Sequence, residues 1–373
     1  MVSGEGPVKI GVMGAGKISG IYLQNAGVFD DIEVVAIADI VLERAEEQAR
    51  EYGVPRACGP DELLADPEVE VVLNLTVPAV HAEVSLAALE AGKHVYTEKP
   101  LAVEWQDGRK LLDVANERGL LVGCAPDTFL GGGLQTCREV LEEGVIGDPV
   151  ALTAIMMTHG PEGWHPNPDF FYQPGAGPMF DMGPYYLTAL ATLVGPIRRV
   201  TGSARVTFPE RLITSQPLSG TQVTVNTPTH IAGVMDFEGG PVGTLVTSFD
   251  VWSEDHSRID LYGTEGTLSL PDPNTFGGPL RVWRSDENAW TDIPLSHPYA
   301  ENSRGLGLAD MARALRSGGK HRASGELGLH VLEAIHAFLA SSETGRHVEV
   351  TSTFDRPEPL PAGPASGIFG GAA

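Results

Sequence analysis

Cysteine is scarce in this chain: three in 373 residues, at Cys58, Cys124 and Cys137. They are too few and too scattered for a disulfide framework. No Cys-x-x-Cys pair occurs, so no structural zinc site is expected either, and no metal is called for. Positive charge is also short, with 25 Lys plus Arg against 49 Asp plus Glu and a net charge of −24. A surface this acidic repels phosphodiester backbones and anionic headgroups, and Lys/Arg clusters are absent, so nucleic acid and membrane are not expected as partners. No run of about 18 apolar residues is present, which argues against a membrane span. The first residues, Met1 to Pro7, lack the basic and apolar regions of a secretory signal, and this points to the cytoplasm.

What the chain does have is length for two domains and a hydrophobic content of 42%. Segments 9–13, 33–39, 70–76, 94–97 and 120–124 read as continuous apolar strands. They alternate with helical segments at 18–26, 43–52, 79–90 and 106–118. That rhythm belongs to a parallel sheet covered on both faces, an α/β class. After about residue 125 the pattern changes. A helix at 134–143 is followed by longer strands with period-two alternation at 150–158, 198–208, 229–237, 242–251, 257–262 and 267–270, then by helices at 307–316 and 325–341. This is the signature of an antiparallel sheet with one face more exposed. The expected division is 1–125, 126–355 and a loose, Pro/Gly/Ala-rich tail at 356–373.

Gly14-Ala15-Gly16-Lys17-Ile18-Ser19 follows the first strand and opens the first helix, the context that a dinucleotide fingerprint requires. Gly14 permits a tight turn, Gly16 lets a pyrophosphate approach the backbone, and Lys17 and Ile18 complete the loop. Ser19 replaces the third glycine but is small enough for helix to pack on strand. Asp39 closes the second strand, where a carboxylate accepts hydrogen bonds from adenine-ribose hydroxyls and repels a 2′-phosphate. NAD is therefore expected over NADP, with Arg44 one turn further on as a softening charge. Asp39 could instead cap the helix that follows it. Thr76, Pro78 and His81 follow the third apolar strand, where a loop over the nicotinamide or its ribose is expected. Pro78 could equally start a helix, and His81 could equally pack.

Gly92-Lys93-His94-Val95-Tyr96-Thr97-Glu98-Lys99-Pro100 is the most informative stretch. Lys99 follows the fourth apolar strand at the same edge. Glu98 can pair with it or bind a ribose hydroxyl, and Pro100 stiffens the chain after it. Near a cationic nicotinamide a lysine is driven toward its neutral form, in which it can take a proton from an alcohol. A surface ion pair is the plain alternative for such neighbours. In the second half, Trp164 and His165 open a polar, aromatic loop that leads to Phe180-Asp181-Met182-Gly183-Pro184-Tyr185-Tyr186. Asp181 and Tyr185 are four apart, so on one helix they would share a face and could grip a polyol and relay a proton. Helix capping by Asp181 and core packing by Tyr185 remain open.

Taken together, these residues resemble the Gfo/Idh/MocA family, named for glucose–fructose oxidoreductase, inositol dehydrogenase and rhizopine catabolism. The resemblance runs from Lys9 to about Val350 and is carried by Glu98-Lys99-Pro100 after Gly92-Lys93-His94-Val95, together with the glycine turn. It implies an N-terminal Rossmann domain and a C-terminal α+β domain built on an open, mostly antiparallel sheet that often forms dimers or tetramers. It also implies NAD(P)-dependent oxidation or reduction of sugars, polyols and related carbonyl compounds. Lys99 matches the family's catalytic lysine, and Asp181 matches the aspartate of its Asp-x-Gly-x-His pattern. Tyr185 stands where many members have histidine. Some branches use a tyrosine as acid or base near this point, so either Lys99 or Tyr185 is expected to move the proton. The loop at 125–129 lacks the arginine common there, and Asp127 is read as a substitute substrate contact. Trp164 and His165 are expected to line the substrate pocket. Two rival functions on this fold are a glycosidase that oxidises its substrate transiently with held NAD, and a non-catalytic sugar or cofactor sensor.

Overall fold

A computed structural model gives the fold for residues 6–363 and 368–369. In chain order the first elements are β1 (Val8–Met13), α1 (Ser19–Ala26), β2 (Ile32–Ala38), α2 (Leu42–Tyr52), β3 (Ala57–Cys58), α3 (Pro60–Ala65), β4 (Val71–Asn74), α4 (His81–Glu90), β5 (His94–Thr97), α5 (Trp105–Arg118) and β6 (Val122–Cys124). There follow α6 (Gly132–Glu142), β7 (Pro149–Met157), α7 (Gly177–Asp181), α8 (Gly183–Val194), β8 (Ile197–Arg205), β9 (Glu210–Leu212) and β10 (Gln222–Thr224). The last are β11 (His230–Phe237), β12 (Val242–Ser248), β13 (Ile259–Gly263), β14 (Gly266–Leu270), β15 (Leu280–Arg284), β16 (Ala289–Ile293), α9 (Leu306–Ser317), α10 (Gly325–Thr344) and β17 (Val348–Glu349). The chain forms two compact units. One comprises Met1–Gly132, Ser296–Leu329 and Pro357–Ala373, and the other Gly133–Leu295 and His330–Arg356.

In the first unit the apolar runs become the strands of a parallel sheet in the order β3-β2-β1-β4-β5-β6. Every residue of β4 is buried, as are the last four residues of β1 and of β2. Strands covered on both faces have no polar side to show, which is why the sequence reads as continuous apolar segments there. Helices α2 and α5 stop where glycine turns left-handed: Gly53 ends α2 at φ 73° and Gly119 ends α5 at φ 66°. This is the Rossmann arrangement, with β1 and β4 adjacent at the point where the strand order reverses. The two-residue β3 and short α3 were not legible in the sequence, because neither is long enough to show a period.

In the second unit the main sheet runs β16-β15-β14-β13-β7-β12-β11-β8-β17, with β9 and β10 paired separately. Its neighbours are antiparallel except β7 and β12, which run parallel. Alternate residues of β7 are buried from Leu152 onward, and β12 buries Gly243, Leu245 and Thr247 in the same rhythm. One face is therefore packed and the other more open. α8 carries no charged residue, and all of it is buried but Val194. Strand β16 went unread because it is almost wholly exposed and so lacks an apolar alternation, and β15 offers only two buried apolar residues, Leu280 and Val282, to mark it.

Residues 364–367 and 370–373 of the expected tail lie outside the described residues. Before them, in the second unit, Arg356 donates to the carbonyls of Thr192 and Leu193, both at 2.7 Å. In the first unit Leu360 is 2% exposed, and Phe369 accepts from the amide of Asp30 at 3.1 Å. Among the described residues, no helix is long and apolar enough to cross a membrane.

Candidate active site

Three loops leave the carboxyl edge of the parallel sheet side by side: the glycine turn after β1, residues 75–80 after β4, and Glu98-Lys99-Pro100 after β5. The two glycines of the turn differ. Gly14 has φ +104°, and a Cβ there would lie 2.8 Å from the Leu75 backbone and 2.9 Å from the amide of Thr76. The fold itself demands glycine at that position. Gly16 has ordinary dihedrals, is exposed, and a Cβ on it would meet nothing within 4 Å. No packing within the protein explains glycine at position 16, and its open backbone leaves room for a diphosphate to approach. Ser19 is fully buried and its hydroxyl donates to the Gly16 carbonyl at 2.7 Å, closing the turn from below.

Asp39 reaches this turn. Its Oδ2 accepts from the Ala15 amide at 2.8 Å and its Oδ1 from the Val41 amide at 2.9 Å. The second of these resembles the cap-like alternative, although α2 itself begins with no side-chain cap. A carboxylate has about four acceptor positions, so each oxygen keeps one for a ribose hydroxyl. Lys17 and Ile18 are exposed beside Gly16, and Arg44 is exposed on α2. The glycine turn and Asp39 thus fit a dinucleotide.

Glu98 is 8% exposed. One oxygen accepts from the Tyr22 hydroxyl at 2.7 Å, and the other from the amide of Lys99 at 2.9 Å. Tyr22 is buried, and burial, followed by the Glu98 carboxylate, raises its phenol well above its ordinary value. Lys99 is half-buried. Asn74, at the end of β4, is a hub. Its Nδ2 donates to the His81 carbonyl and to the Ser85 hydroxyl, both at 3.0 Å, and its Oδ1 accepts from the Thr76 hydroxyl at 2.6 Å. Thr76 and Pro78 are half-buried at this edge.

Two expected site residues have other work. His81 is 1% exposed; its Nδ1 lies 2.7 Å from the Pro100 carbonyl and its Nε2 3.0 Å from that of Thr76. Burial pushes its ring toward the neutral form, against the raising effect of these two carbonyls, and a neutral ring donates to one of them. The side chain is a strut between two loops, with both nitrogens turned to the backbone. Asp127 is 1% exposed, and its Oδ2 accepts from the amides of Gly305 at 2.9 Å and Gly307 at 3.0 Å. It clasps the start of α9, where unpaired amides favour a carboxylate. Burial pushes its carboxyl up to about 6, against the lowering effect of the Gly307 amide and Arg304.

In the second unit, Asp181 and Tyr185 do not share a helix. Asp181 ends α7, Met182 intervenes, and α8 starts at Gly183. Pro184 is the reason: it has no amide to donate to the carbonyl four residues back, so one helix cannot run through it. A cavity of about 130 Å³ lies beside this break, bordered by Asp181, Tyr186 and Trp164, by Met156 and Phe249 at strand ends, and by Arg258 and Asp272. Tyr186, not Tyr185, is among the residues that border it, although Tyr186 is 0% exposed and Tyr185 7%. Burial, then Asp272, raises the Tyr186 phenol far above its usual value. His165 is not part of the lining. Its ring packs with Phe170 and Phe171 at 5.4 and 5.1 Å between centroids.

Behind the cavity wall Arg211 is buried, with its side chain 3% exposed. Its Nη1 donates to the His159 carbonyl at 2.9 Å and to Glu162 at 2.6 Å; its Nη2 donates to the Phe249 carbonyl at 2.8 Å and to Asp250. Tyr172 donates to the other Glu162 oxygen. Tyr22, Asn74, Tyr186, Arg211, Arg258 and Asp272 were not singled out in the sequence. Only Asn74 left a trace there, as a lone polar residue inside the apolar run Val71-Val72-Leu73-Asn74-Leu75.

Comparison with known proteins agrees with these features. Residues 8–125 match a family described as an oxidoreductase family with an NAD-binding Rossmann fold, and residues 134–269 match the GFO/IDH/MocA C-terminal domain. Myo-inositol 2-dehydrogenase of Thermotoga maritima is 26% identical over 351 residues, covering 92% of this chain and 98% of that protein. The 1,5-anhydro-D-fructose reductase of Ensifer adhaerens is 25% identical over 346 residues, covering 91% and 98%. Among solved structures, an NAD-binding oxidoreductase from Klebsiella pneumoniae has a TM-score of 0.82 at 22% identity, over 93% of this chain and 100% of that one. Levoglucosan dehydrogenase in complex with NADH and L-sorbose has a TM-score of 0.81 at 21% identity, over 92% and 99%. Both halves of the chain therefore carry the same signature, and the chain belongs to the Gfo/Idh/MocA family of NAD(P)-dependent oxidoreductases.

Proposed function

We propose that this protein interconverts a CH–OH group of a sugar or polyol and its carbonyl with a nicotinamide dinucleotide, NAD in preference to NADP. The observation that carries this is the locked state of Glu98. Tyr22 and the Lys99 amide hold its two oxygens, so the catalytic lysine of the family follows a fixed carboxylate at the same sheet edge as the open Gly16 turn. The relatives named for inositol, anhydrofructose and levoglucosan support a polyhydroxylated substrate.

The backbone of the turn at Gly14 and Gly16, with Lys17 and Ile18, holds the diphosphate. Asp39 accepts the ribose hydroxyls and repels a 2′-phosphate. Thr76, Pro78 and Glu98 border the nicotinamide ribose. The bound dinucleotide supplies the acceptor or donor of the hydride. In the oxidative direction Lys99 takes the hydroxyl proton as the C–H bond breaks, and in the reductive direction it returns it. In the second unit, Asp181 and Trp164 are the candidates for holding a sugar hydroxyl and lying along a sugar face, and Tyr185 is the second candidate for the proton.

The test is turnover on a panel of sugars and polyols, followed by the absorbance of reduced nicotinamide with each cofactor. Lys99→Met lowers turnover by at least about a hundredfold while dinucleotide binding persists. Tyr185→Phe in parallel apportions the proton. A Lys99→Met enzyme that turns over normally would remove Lys99 from the chemistry.

A further inference from the structure

The cavity of the second unit has two unlike ends, and the sheet topology explains why. β7 and β12 run parallel, β13 runs against β7, and β14 runs against β13. The ends of β7, β12 and β14 and the start of β13 therefore meet at one edge. From that edge Met156 comes off β7, Phe249 follows β12, Arg258 precedes β13 and Asp272 follows β14. Met156, Phe249, Phe171 and Trp164 make an apolar, largely aromatic wall. Arg258 and Asp272 make the polar end.

The polar end is a built arrangement. Arg258 donates through Nη1 to Glu254 at 2.7 Å, and its Nε is 3.7 Å from Asp272 Oδ2. The other Asp272 oxygen, Oδ1, accepts from the Asn274 amide at 2.9 Å, which fixes the carboxylate's direction. Arg258 thus has two carboxylates about it before any ligand arrives, and its side chain is still 35% exposed. Its positive charge is already offset, while its five N–H groups exceed what these partners use.

We propose that Arg258 and Asp272 are a specificity pair that selects a neutral polyhydroxylated ring and rejects its carboxylated counterpart. This rests on the sugar or polyol reading given above. The ring lays its apolar face on the aromatic wall. One hydroxyl oxygen accepts from Arg258, and an adjacent hydroxyl donates to Asp272. A carboxylate on the same ring carbon would have to displace Glu254 or face Asp272, and like charges in close contact are costly.

The experiment uses the full chain loaded with dinucleotide. Neutral aldoses and cyclitols are paired with their uronic-acid counterparts, and both turnover and binding by calorimetry are measured. Wild type binds the preferred neutral member at least about tenfold more tightly than its uronate, a gap of about 1.4 kcal/mol. Asp272→Asn, which keeps the acceptor for Asn274, narrows that ratio by admitting the uronate. Arg258→Gln weakens the neutral sugar at least about tenfold. The pair is overturned if wild type binds a uronate as well as the neutral sugar, if no neutral sugar binds, or if Asp272→Asn leaves the ratio unmoved. Selective binding without turnover would retain the pair and sink the oxidoreductase reading for these sugars. Turnover with an unmoved ratio would do the reverse.

Discussion

Tyr22 and Glu98, 76 residues apart, are joined by a 2.7 Å hydrogen bond inside the first unit. The bond ties the helix that opens at the glycine turn to the segment that carries Lys99, because the same Glu98 carboxylate holds the Lys99 amide. Tyr22→Phe removes the phenol and leaves a buried carboxylate with one partner fewer. Hydrogen bonds to charged groups are worth about 1.5–3 kcal/mol, so the variant should lose stability of that order. Denaturation by urea measures the loss, and turnover should fall with it as Glu98 loosens its hold on Lys99. An unchanged unfolding midpoint together with unchanged turnover would show that the tie carries no load.

The two glycines of the turn make opposite predictions. Gly14→Ala puts a methyl 2.8 Å from the Leu75 backbone at φ +104°, so it should damage the fold. Gly16→Ala meets open space and should leave the melting temperature almost unchanged. It should weaken dinucleotide binding instead, since the methyl occupies the approach of the diphosphate. Thermal melts and cofactor titrations on the two variants separate the cases. Unaltered cofactor affinity in Gly16→Ala would count against the diphosphate assignment.

Asp127 makes the chain sensitive to pH in a definite direction. Its carboxyl is pushed up to about 6 in the folded state, above the value of about 3.9 for a free aspartate. The folded state therefore holds this proton more tightly, so its contribution to stability falls as pH rises from about 4 to about 6 and stays low above that. The size is about 3 kcal/mol at most. Asp127→Asn keeps an oxygen for the Gly305 and Gly307 amides but cannot titrate. Compared with the variant, wild type should lose stability between about pH 4 and about pH 7. Parallel stability curves from urea denaturation would mean that the clasp does not titrate in that range.

Arg211 should be intolerant of neutral replacement. Glu162 and Asp250 are both nearly buried beside it, with side chains 10% and 7% exposed. Arg211→Met leaves two buried carboxylates without their cation, a change expected to cost about 3–5 kcal/mol. Arg211→Lys keeps the charge but cannot serve four acceptors in one plane, so it should fall between the two. Chemical denaturation ranks the three proteins, and a stable Arg211→Met would show that the carboxylates are relieved in some other way.

Much of this protein was legible before any coordinates. The strands β1, β2, β4, β5 and β6 were readable because strands covered on both faces must be apolar throughout. The glycine turn and Glu98-Lys99-Pro100 were readable because their chemistry is local: a tight turn needs Gly14 itself, and Lys99 is adjacent in sequence to the carboxylate that holds its amide. Asp181 and Trp164, both singled out in the sequence, border one cavity. Their neighbours Tyr185 and His165 do not.

The amino-acid order alone determined the fold class and the membership in an oxidoreductase family, since both follow from local periodicity or from residues a few positions apart. Tertiary structure alone decided that Tyr186 rather than Tyr185 borders the cavity, that Asp127 and His81 serve the fold, and that Arg258 meets Asp272. Those outcomes depend on which strand ends share an edge and where Pro184 breaks a helix. Contacts between residues tens of positions apart are set by packing and burial, and they leave no spacing in the chain to be read.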